Sequence, residues 1–230
     1  NVLYSIAGMT AWLRRKEFRY KLPKGTPLKA DEAQQEAFIE DYLEQVEQSS
    51  TEQPIVFMDA VHPTMATKIT HGWIKKGVNK LIATTASRTR VNVIGAIELS
   101  TLKVVNSLVA TVNAQTVGEF FHQLKQAYPT AQKIRVILDC AGYHRSSALK
   151  SVAESLNIQL HYLPPYSPNL NPIERLWKVM NETTRNNVVF TSAEQFRQAI
   201  SGFFDKTLPL IKDSLRSRIN DNFQVLRTAS

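Results

Sequence analysis

The chain has 230 residues, 43% of them hydrophobic, which suits one large domain with an appendage and excludes global disorder. Its net charge of +8 favours a polyanionic partner, and nucleic acid is the leading candidate. The single cysteine, Cys140, excludes an internal disulfide, and its one nearby histidine, His144, is too few ligands for a zinc site. The apolar runs are too short to span a membrane and no signal peptide is present, so we expect a soluble intracellular protein.

The first 22 residues combine a short helical pattern with strong positive charge. Ile6, Met9 and Leu13 recur at helical spacing, and the basic residues that follow are Arg14, Arg15, Lys16, Arg19 and Lys21. Prolines at Pro23 and Pro27 then break the pattern. We interpret this segment as the remnant of a helical DNA-binding module, with a solvated basic helix end as the alternative. Because the chain begins without an initiator methionine, we expect it to be part of a longer protein.

Residues 23–50 are predicted to form a linker and an amphipathic helix, which Asp31 and Gln34 open as a capping box. Beyond this helix, β-branched apolar runs between turn residues predict strands. These runs are Ile55–Asp59, Leu81–Ala86, Val91–Leu99, Val104–Val112, Ile134–Asp139 and Ile158–Leu163. The first reads as a single strand and the next three as an antiparallel meander.

Four further helices are predicted from capping residues followed by apolar stripes. Their predicted starts are Thr116 with Glu119, Ser146 or Ser147, Asn171 followed by Pro172, and Thr191 with Glu194. The tail beyond Pro209 reads as helical and mixed in charge. Strands followed by strand–helix alternation predict an α/β fold in which a mixed sheet has helices on both faces.

Three acidic residues occupy positions that favour a site. Asp59 and Asp139 end apolar strands, where sites form in open α/β sheets. Glu174 lies in the first turn of a helix that follows the stiff loop Pro164–Pro168, off the apolar stripe of that helix. A single strand-end aspartate more often serves a turn or cap, and a glutamate at this position more often supports the helix start. Two strand-end aspartates in one chain favour the functional interpretation.

Three carboxylates match the oxygen ligands that Mg²⁺ prefers. Two such ions about 4 Å apart activate an attacking oxygen and stabilise the leaving one in phosphodiester chemistry. A carboxylate pair could instead hydrolyse glycosides, but that interpretation leaves the basic charge balance unexplained.

The sequence resembles the DDE transposases of the Tc/mariner superfamily, most of all their bacterial insertion-sequence branch. The motifs that carry the resemblance are Phe57–Asp59, Leu138–His144 and the proline-rich block Tyr162–Trp177. The second aspartate and the glutamate are separated by 34 residues, 140–173, a spacing typical of that superfamily. The resemblance covers roughly residues 30–205.

The resemblance implies an RNase H-like fold, in which a mixed five-stranded sheet is flanked by helices. Asp59, Asp139 and Glu174 would be the catalytic residues and the ligands of two Mg²⁺ ions, with Mn²⁺ able to substitute. Residues 1–22 would be the C-terminal part of a helix-turn-helix module. Residues 51–230 would be the catalytic domain with C-terminal helices.

The resemblance also implies an activity and its partners. The enzyme would cut double-stranded DNA at the ends of its element and transfer the freed 3′-hydroxyl into target DNA at TA, by cut-and-paste transposition. It would act as a homodimer in the bacterial cytoplasm, on the nucleoid. Besides the basic residues of segment 1–22, the expected DNA contacts are His144, Tyr166, Arg175 and Lys178.

The sequence departs from the family pattern at three positions, where Ala60, Cys140 and Asn169 replace a frequent acid, asparagine and aspartate. None is one of the three acids, so activity is expected to survive. Two other functions stay open: a DNA-binding descendant without catalysis, and another RNase H-like nuclease such as a ribonuclease H or a Holliday-junction resolvase. The latter classes lack the proline-rich block.

Overall fold

A five-stranded mixed sheet forms the centre of the structure, a computed structural model that describes residues 3–21, 25, 27 and 29–227. In chain order the strands are β1 (Ile55–Val61), β2 (Asn92–Glu98), β3 (Lys103–Val109), β4 (Ile134–Leu138) and β5 (Ile158–Tyr162). Their order across the sheet is β3-β2-β1-β4-β5, with β1 antiparallel to β2 and parallel to β4. The predicted mixed five-stranded sheet is thereby confirmed.

Helices pack on both faces of the sheet, apart from the first helix, which buries none of its residues. They are α1 (Ile6–Arg15), α2 (Glu32–Glu47), α3 (Ala114–Ala127), α4 (Ser147–Ser155), α5 (Ile173–Thr184), α6 (Ala193–Gly202) and α7 (Leu208–Ile211). The tail after α7 continues as one 3₁₀ turn, Lys212–Leu215, and then without regular structure, so the prediction of a helical tail holds only for its start. Within the described residues, no helix is long and apolar enough to cross a membrane.

The alternation of side chains along β1 divides the core into two layers. Phe57 packs with residues of α2, α5 and α6 on one face, while Val56 and Met58 pack with residues of α3 and α4 on the other. Because successive strand residues point to opposite faces, a strand buried on both sides reads as a continuous apolar run. This explains why β1 and β4 could be predicted from the sequence as strands.

Helix α1 has the predicted helical structure but buries none of its residues in the described part of the chain. Its N-cap is Ser5, whose hydroxyl accepts from the amide of Gly8, and its apolar Ile6 is 89% exposed. The assignment of residues 1–22 to a DNA-binding module stays a prediction. Pro23, which was expected to break the helical pattern, lies outside the described residues.

One predicted strand, Leu81–Ala86, is wrong. This run has no regular structure, and Leu81 is 89% exposed. It belongs to an irregular segment that runs alongside residues 63–67. The two segments are joined by a few backbone hydrogen bonds, such as that from Thr67 N–H to the Thr85 carbonyl. Strand propensity reflects the packing of side chains on a partly buried sheet surface. Because this run packs against neither face of the sheet, its β-branched residues do not stabilise pairing with another strand.

The predicted helix starts are right for α2 and α4 and shifted for the other three. Asp31 and Ser146 cap α2 and α4 as predicted. The predictions for α3, α5 and α6 are corrected to the caps Asn113, Pro172 and Ser192. In α3, Asn113 and Thr116 bond reciprocally and close a capping box three residues before the predicted one, so Thr116 serves as N3 and not as the cap.

The buried side-chain amide of Gln35 connects three segments that are distant in the sequence. Gln35 of α2 is fully buried, and its Oε1 accepts from Asn169 Nδ2 at 2.9 Å and from the Leu226 amide at 3.0 Å. Its Nε2 donates to the carbonyls of Asp31 and Leu226. This single side chain therefore ties α2 to the proline-rich loop and to the C-terminal tail.

We predict that Gln35→Met lowers the free energy of unfolding by about 2–3 kcal/mol, because it removes four hydrogen bonds made by a fully buried side chain, two of them with part-buried donors of Asn169 and Leu226. Urea unfolding followed by circular dichroism measures this change. Gln34→Met is the matched control: its side chain is exposed and bonds only within the first turn of α2, so we expect a change below about 0.5 kcal/mol. Equal losses in the two variants would contradict the assignment.

Candidate active site

The two strand-end aspartates lie side by side at one edge of the sheet. In the parallel β1–β4 ladder, Phe57 is paired with Ile137, and the same register carried two residues further sets Asp59 level with Asp139. β4 ends at Leu138, so Asp139 begins the following loop, one residue beyond the strand that was predicted to include it. β1 continues to Val61, so Asp59 lies inside its strand and not at its end.

Glu174 reaches this edge from the first turn of α5. The helix buries its stripe of Ile173, Leu176, Trp177, Val179 and Met180, which fixes its rotation against β1 and β2. The preceding loop is also anchored, because Leu170, Asn171 and Pro172 are buried. With the stripe inside, Glu174 is left exposed on the side that faces the aspartates, where its charge interacts with theirs.

Each aspartate is held by a ring N–H. Trp177 Nε1 donates to Asp59 Oδ2 at 2.9 Å. Asp139 Oδ1 lies 2.7 Å from His144 Nδ1 and also accepts from the Ala141 amide at 3.0 Å. The side chain of Asp139 is half-exposed, whereas His144 is buried. Both carboxylates are therefore fixed in orientation before any ligand arrives.

The environment shifts the pKa values of the three carboxyls in different directions. Burial, followed by the charge of Glu174, raises the pKa of Asp59 to about 7, against the opposing bond from Trp177. Burial and the charge of Asp139 raise the pKa of Glu174. The hydrogen bond from His144 lowers the pKa of Asp139. Two of the three acids thus favour the protonated form more than an isolated carboxyl does, as expected where negative charges crowd together.

This donor set fits hard divalent cations. It consists of carboxylates that repel one another, and among the described residues no Lys or Arg forms an ion pair with any of them. Carboxylate oxygens are the ligands that Mg²⁺ takes, with water and substrate oxygens completing its shell. In their present positions, no three His, Cys, Asp or Glu side chains of the described residues form a group that encloses an ion.

The structure places the expected DNA contacts in different environments. Those of segment 1–22, together with Lys178, are exposed. Tyr166 is 55% exposed and lies beneath the ammonium of Lys29. Arg175 instead donates to the carbonyl and side chain of Asn220 in the tail. His144 is 1% exposed and contacts Asp139, which suits a positioning role better than a contact with phosphate.

Sequence reasoning missed a basic arm between β1 and β2. The arm, residues 62–90, contains four lysines and two arginines and no acidic residue. All six are exposed, as is Trp73 at its centre. Asn187 anchors its base to the end of α5 through bonds with Lys68 and Thr70. The unbroken positive charge of this stretch was the signal that could have found it.

Asp59 makes the stability of the chain depend on pH. Its folded pKa of about 7 lies above that of an unfolded aspartate, so the stability it contributes is present at low pH and lost as pH rises through 7. We predict that Asp59→Asn, which keeps an oxygen acceptor for Trp177, raises the free energy of unfolding without added metal by about 2 kcal/mol more at pH 8 than at pH 4. Urea titrations at the two values measure this, with the exposed Asp205→Asn as control. A gain independent of pH would contradict the assignment.

The sequence comparisons identify the family of the chain and two relatives. The family described as DDE superfamily endonuclease matches residues 54–197, and a winged helix-turn-helix family matches residues 1–42. A 39 kDa uncharacterized protein of insertion element IS630 from Shigella sonnei is 26% identical over 165 residues, 71% of this chain and 48% of its own length. The uncharacterized protein y4pE/y4sA of Sinorhizobium fredii is 46% identical over 55 residues, 24% of this chain and 38% of its own. The chain thus spans half or less of these relatives.

Solved structures share the fold. The Mos1 mariner paired end complex with Mn has a TM-score of 0.67 at 20% identity, over 96% of this chain and 72% of that one. The Mos1 strand transfer complex has a TM-score of 0.66 at 19% identity, over 95% and 71%. These values confirm the RNase H-like fold that the resemblance implied. Because the family match extends over more than half of its residues, the chain belongs to the DDE superfamily endonucleases.

Proposed function

We propose that this chain is the catalytic part of a DNA transposase, in which Asp59, Asp139 and Glu174 hold two Mg²⁺ ions. The observation that carries the proposal is the electrostatic interaction among three acids from separate rigid elements, with which no Lys or Arg of the described residues forms an ion pair. Bound Mg²⁺ would supply activation of the attacking oxygen and stabilisation of the leaving one. The residues themselves orient and bind: β1 and the loop after β4 fix the aspartates, and α5 brings Glu174 to them.

The charged surface around the site supports DNA as the substrate. A cavity of about 430 Å³ beside Glu174 is lined by Lys68 of the basic arm and by Lys178 and Trp177 of α5. The arm extends this positive surface with five further exposed cations. Lysine and arginine bind the phosphate backbone without regard to sequence, which positions DNA over the carboxylates.

The finer steps of the proposal come from the family. The enzyme would cut at the ends of its element and join the freed 3′-hydroxyl to target DNA at TA, by a cut-and-paste route. It would assemble as a homodimer, because two element ends must be brought together. Mn²⁺ would substitute for Mg²⁺, as the solved Mos1 complexes that carry each metal in their names suggest. It would act in the bacterial cytoplasm, since its IS630 relative belongs to a bacterial element.

Glu174→Gln is predicted to keep DNA binding and lose cleavage by at least about 100-fold, because it removes a metal-binding charge at the surface of a fixed helix. Cutting of a supercoiled plasmid that carries the element ends, with Mg²⁺ or Mn²⁺, measures this in the full-length protein. Glu194→Gln is the matched control, since Glu194 lies in the first turn of α6 as Glu174 does in α5.

The control should cut like wild type. Measurable cutting by the Glu174 variant would remove that residue from the site. Absence of cutting by a folded wild type that still binds DNA would favour the non-catalytic descendant. Nicking without joining to a target would favour another RNase H-like nuclease.

Neutralising the arm is predicted to lower both the affinity for DNA and its dependence on salt. A triple variant of Lys75, Lys76 and Lys80 to Gln removes up to three phosphate contacts, so the slope of log K against log salt should fall by about 2–3. Anisotropy titrations over a range of salt measure the slope. The control, Lys206→Gln with Lys212→Gln, removes two exposed charges, of which Lys212 lies near the β2–β3 turn at the opposite end of the sheet. If the slope fell by the same amount per removed charge in the control as in the arm variant, a specific role of the arm would be contradicted.

A further inference from the structure

We propose that Trp177 is a positioning residue for Asp59: its indole N–H fixes the carboxylate orientation, and Gly95 provides the space that lets the ring reach it. This inference rests on the proposed function, because the use of a fixed Asp59 is to bind a cation. It deepens that proposal by assigning a role to two uncharged residues that the three acids alone do not explain.

The contact depends on the pairing of three elements. Asp59 of β1 and Gly95 of β2 are directly opposite in the antiparallel ladder, so their side-chain positions face the same side. Trp177 of α5 fills the space above Gly95. A Cβ at position 95 would stand 2.5 Å from Cη2 of the indole, which is too close for any real side chain. Glycine at this position is thus a condition for the 2.9 Å bond between Trp177 and Asp59.

The rest of the ring is held by packing. Trp177 is 2% exposed, and the ring of Phe204 meets it edge-on at 6.3 Å and 80°. A buried indole N–H needs an acceptor, and Asp59 Oδ2 is the acceptor that it has. The ring therefore has one orientation, and it transmits that orientation to the carboxylate.

The chemistry of the donor suits a metal-binding carboxylate. A Lys or Arg at this place would neutralise Asp59 and compete with a cation, whereas the indole orients the oxygen without adding charge. Such hydrogen bonds to ligand carboxylates typically account for 10–100-fold in metal affinity. Trp177 also follows Glu174 by three residues on α5. The same turn of the helix therefore carries Glu174 and the residue that orients Asp59.

The first test measures the bond itself, without metal or DNA. The chain has three tryptophans, so a ¹⁵N-labelled sample gives three indole N–H signals, and Trp177→Phe identifies the one of interest. We expect Asp59→Ala, which removes the acceptor, to shift the Trp177 signal, and the fully exposed Trp73 to serve as an unaffected internal control. Gly95→Ala should shift the same signal, because the added Cβ displaces the ring. A Trp177 signal that ignores both changes would overturn the inference.

The second test measures metal affinity. Replacing Trp177 with 3-benzothienylalanine keeps the shape of the ring and substitutes sulfur for the N–H, so loss of packing is not a factor. We expect Mn²⁺ binding, measured by electron paramagnetic resonance of the free ion, to weaken about 10-fold. The metal concentration for half-maximal cleavage should rise by a similar factor, while the affinity for DNA stays unchanged.

A packing control separates positioning from structure. Phe204→Leu loosens the edge of the same indole but keeps its N–H, so it should lower stability and change Mn²⁺ affinity by less than about 2-fold. Wild-type Mn²⁺ affinity in the benzothienyl variant would overturn the inference. If the Trp177 signal responds to Asp59→Ala but the wild type cuts no DNA, the proposed function fails and the Trp177–Asp59 pair stands.

Discussion

Repulsion among three carboxylates is the constraint on which the site depends, and the hydrophobic core supplies the force that opposes it. Burial and the neighbouring charge of Glu174 raise the pKa of Asp59 to about 7, so the arrangement is costly without a cation. It persists because each acid is attached to an element whose position is set elsewhere. The β1–β4 register aligns Asp59 with Asp139, and the buried stripe of α5 fixes Glu174. Packing of the two core layers thus concentrates negative charge at one edge of the sheet.

Much of this arrangement was predictable because it follows from local patterns. Buried strands that end near acids and a proline-rich loop before a helix are short-range signals, and they identified Asp59, Asp139 and Glu174 as candidates. The errors arose where tertiary context decides. Leu81–Ala86 has strand-like composition but no face of the sheet to cover, and the caps of α3 and α6 moved because several adjacent polar residues compete to close the first turn. The bond between Trp177 and Asp59, 118 residues apart, has no signal in sequence spacing.

The departures from the family pattern have physical explanations in two cases. Asn169 donates through Nδ2 to the buried Gln35 side chain and to the Gln224 carbonyl, which an aspartate could not do, so the amide suits the two acceptors beside it. Cys140 donates its thiol to the Leu163 carbonyl and thereby links the loop after β4 to the end of β5. Both residues support the segments that carry the acids. The structure offers no comparable contact for Ala60.

Orienting the carboxylates and attracting phosphate are carried out by different groups in this structure. Asp59 is oriented by a neutral indole, and Asp139 by the imidazole of His144 and a backbone amide, while the arginines and lysines are held away from ion-pair distance in the described residues. The net charge of the arm, +6 from its four lysines and two arginines, accounts for most of the +8 of the chain. A basic side chain beside the carboxylates would satisfy them permanently, whereas one on the arm attracts a polyanion and leaves the carboxylates available. The same chain can therefore attract phosphate over one surface and bind cations at the adjoining edge.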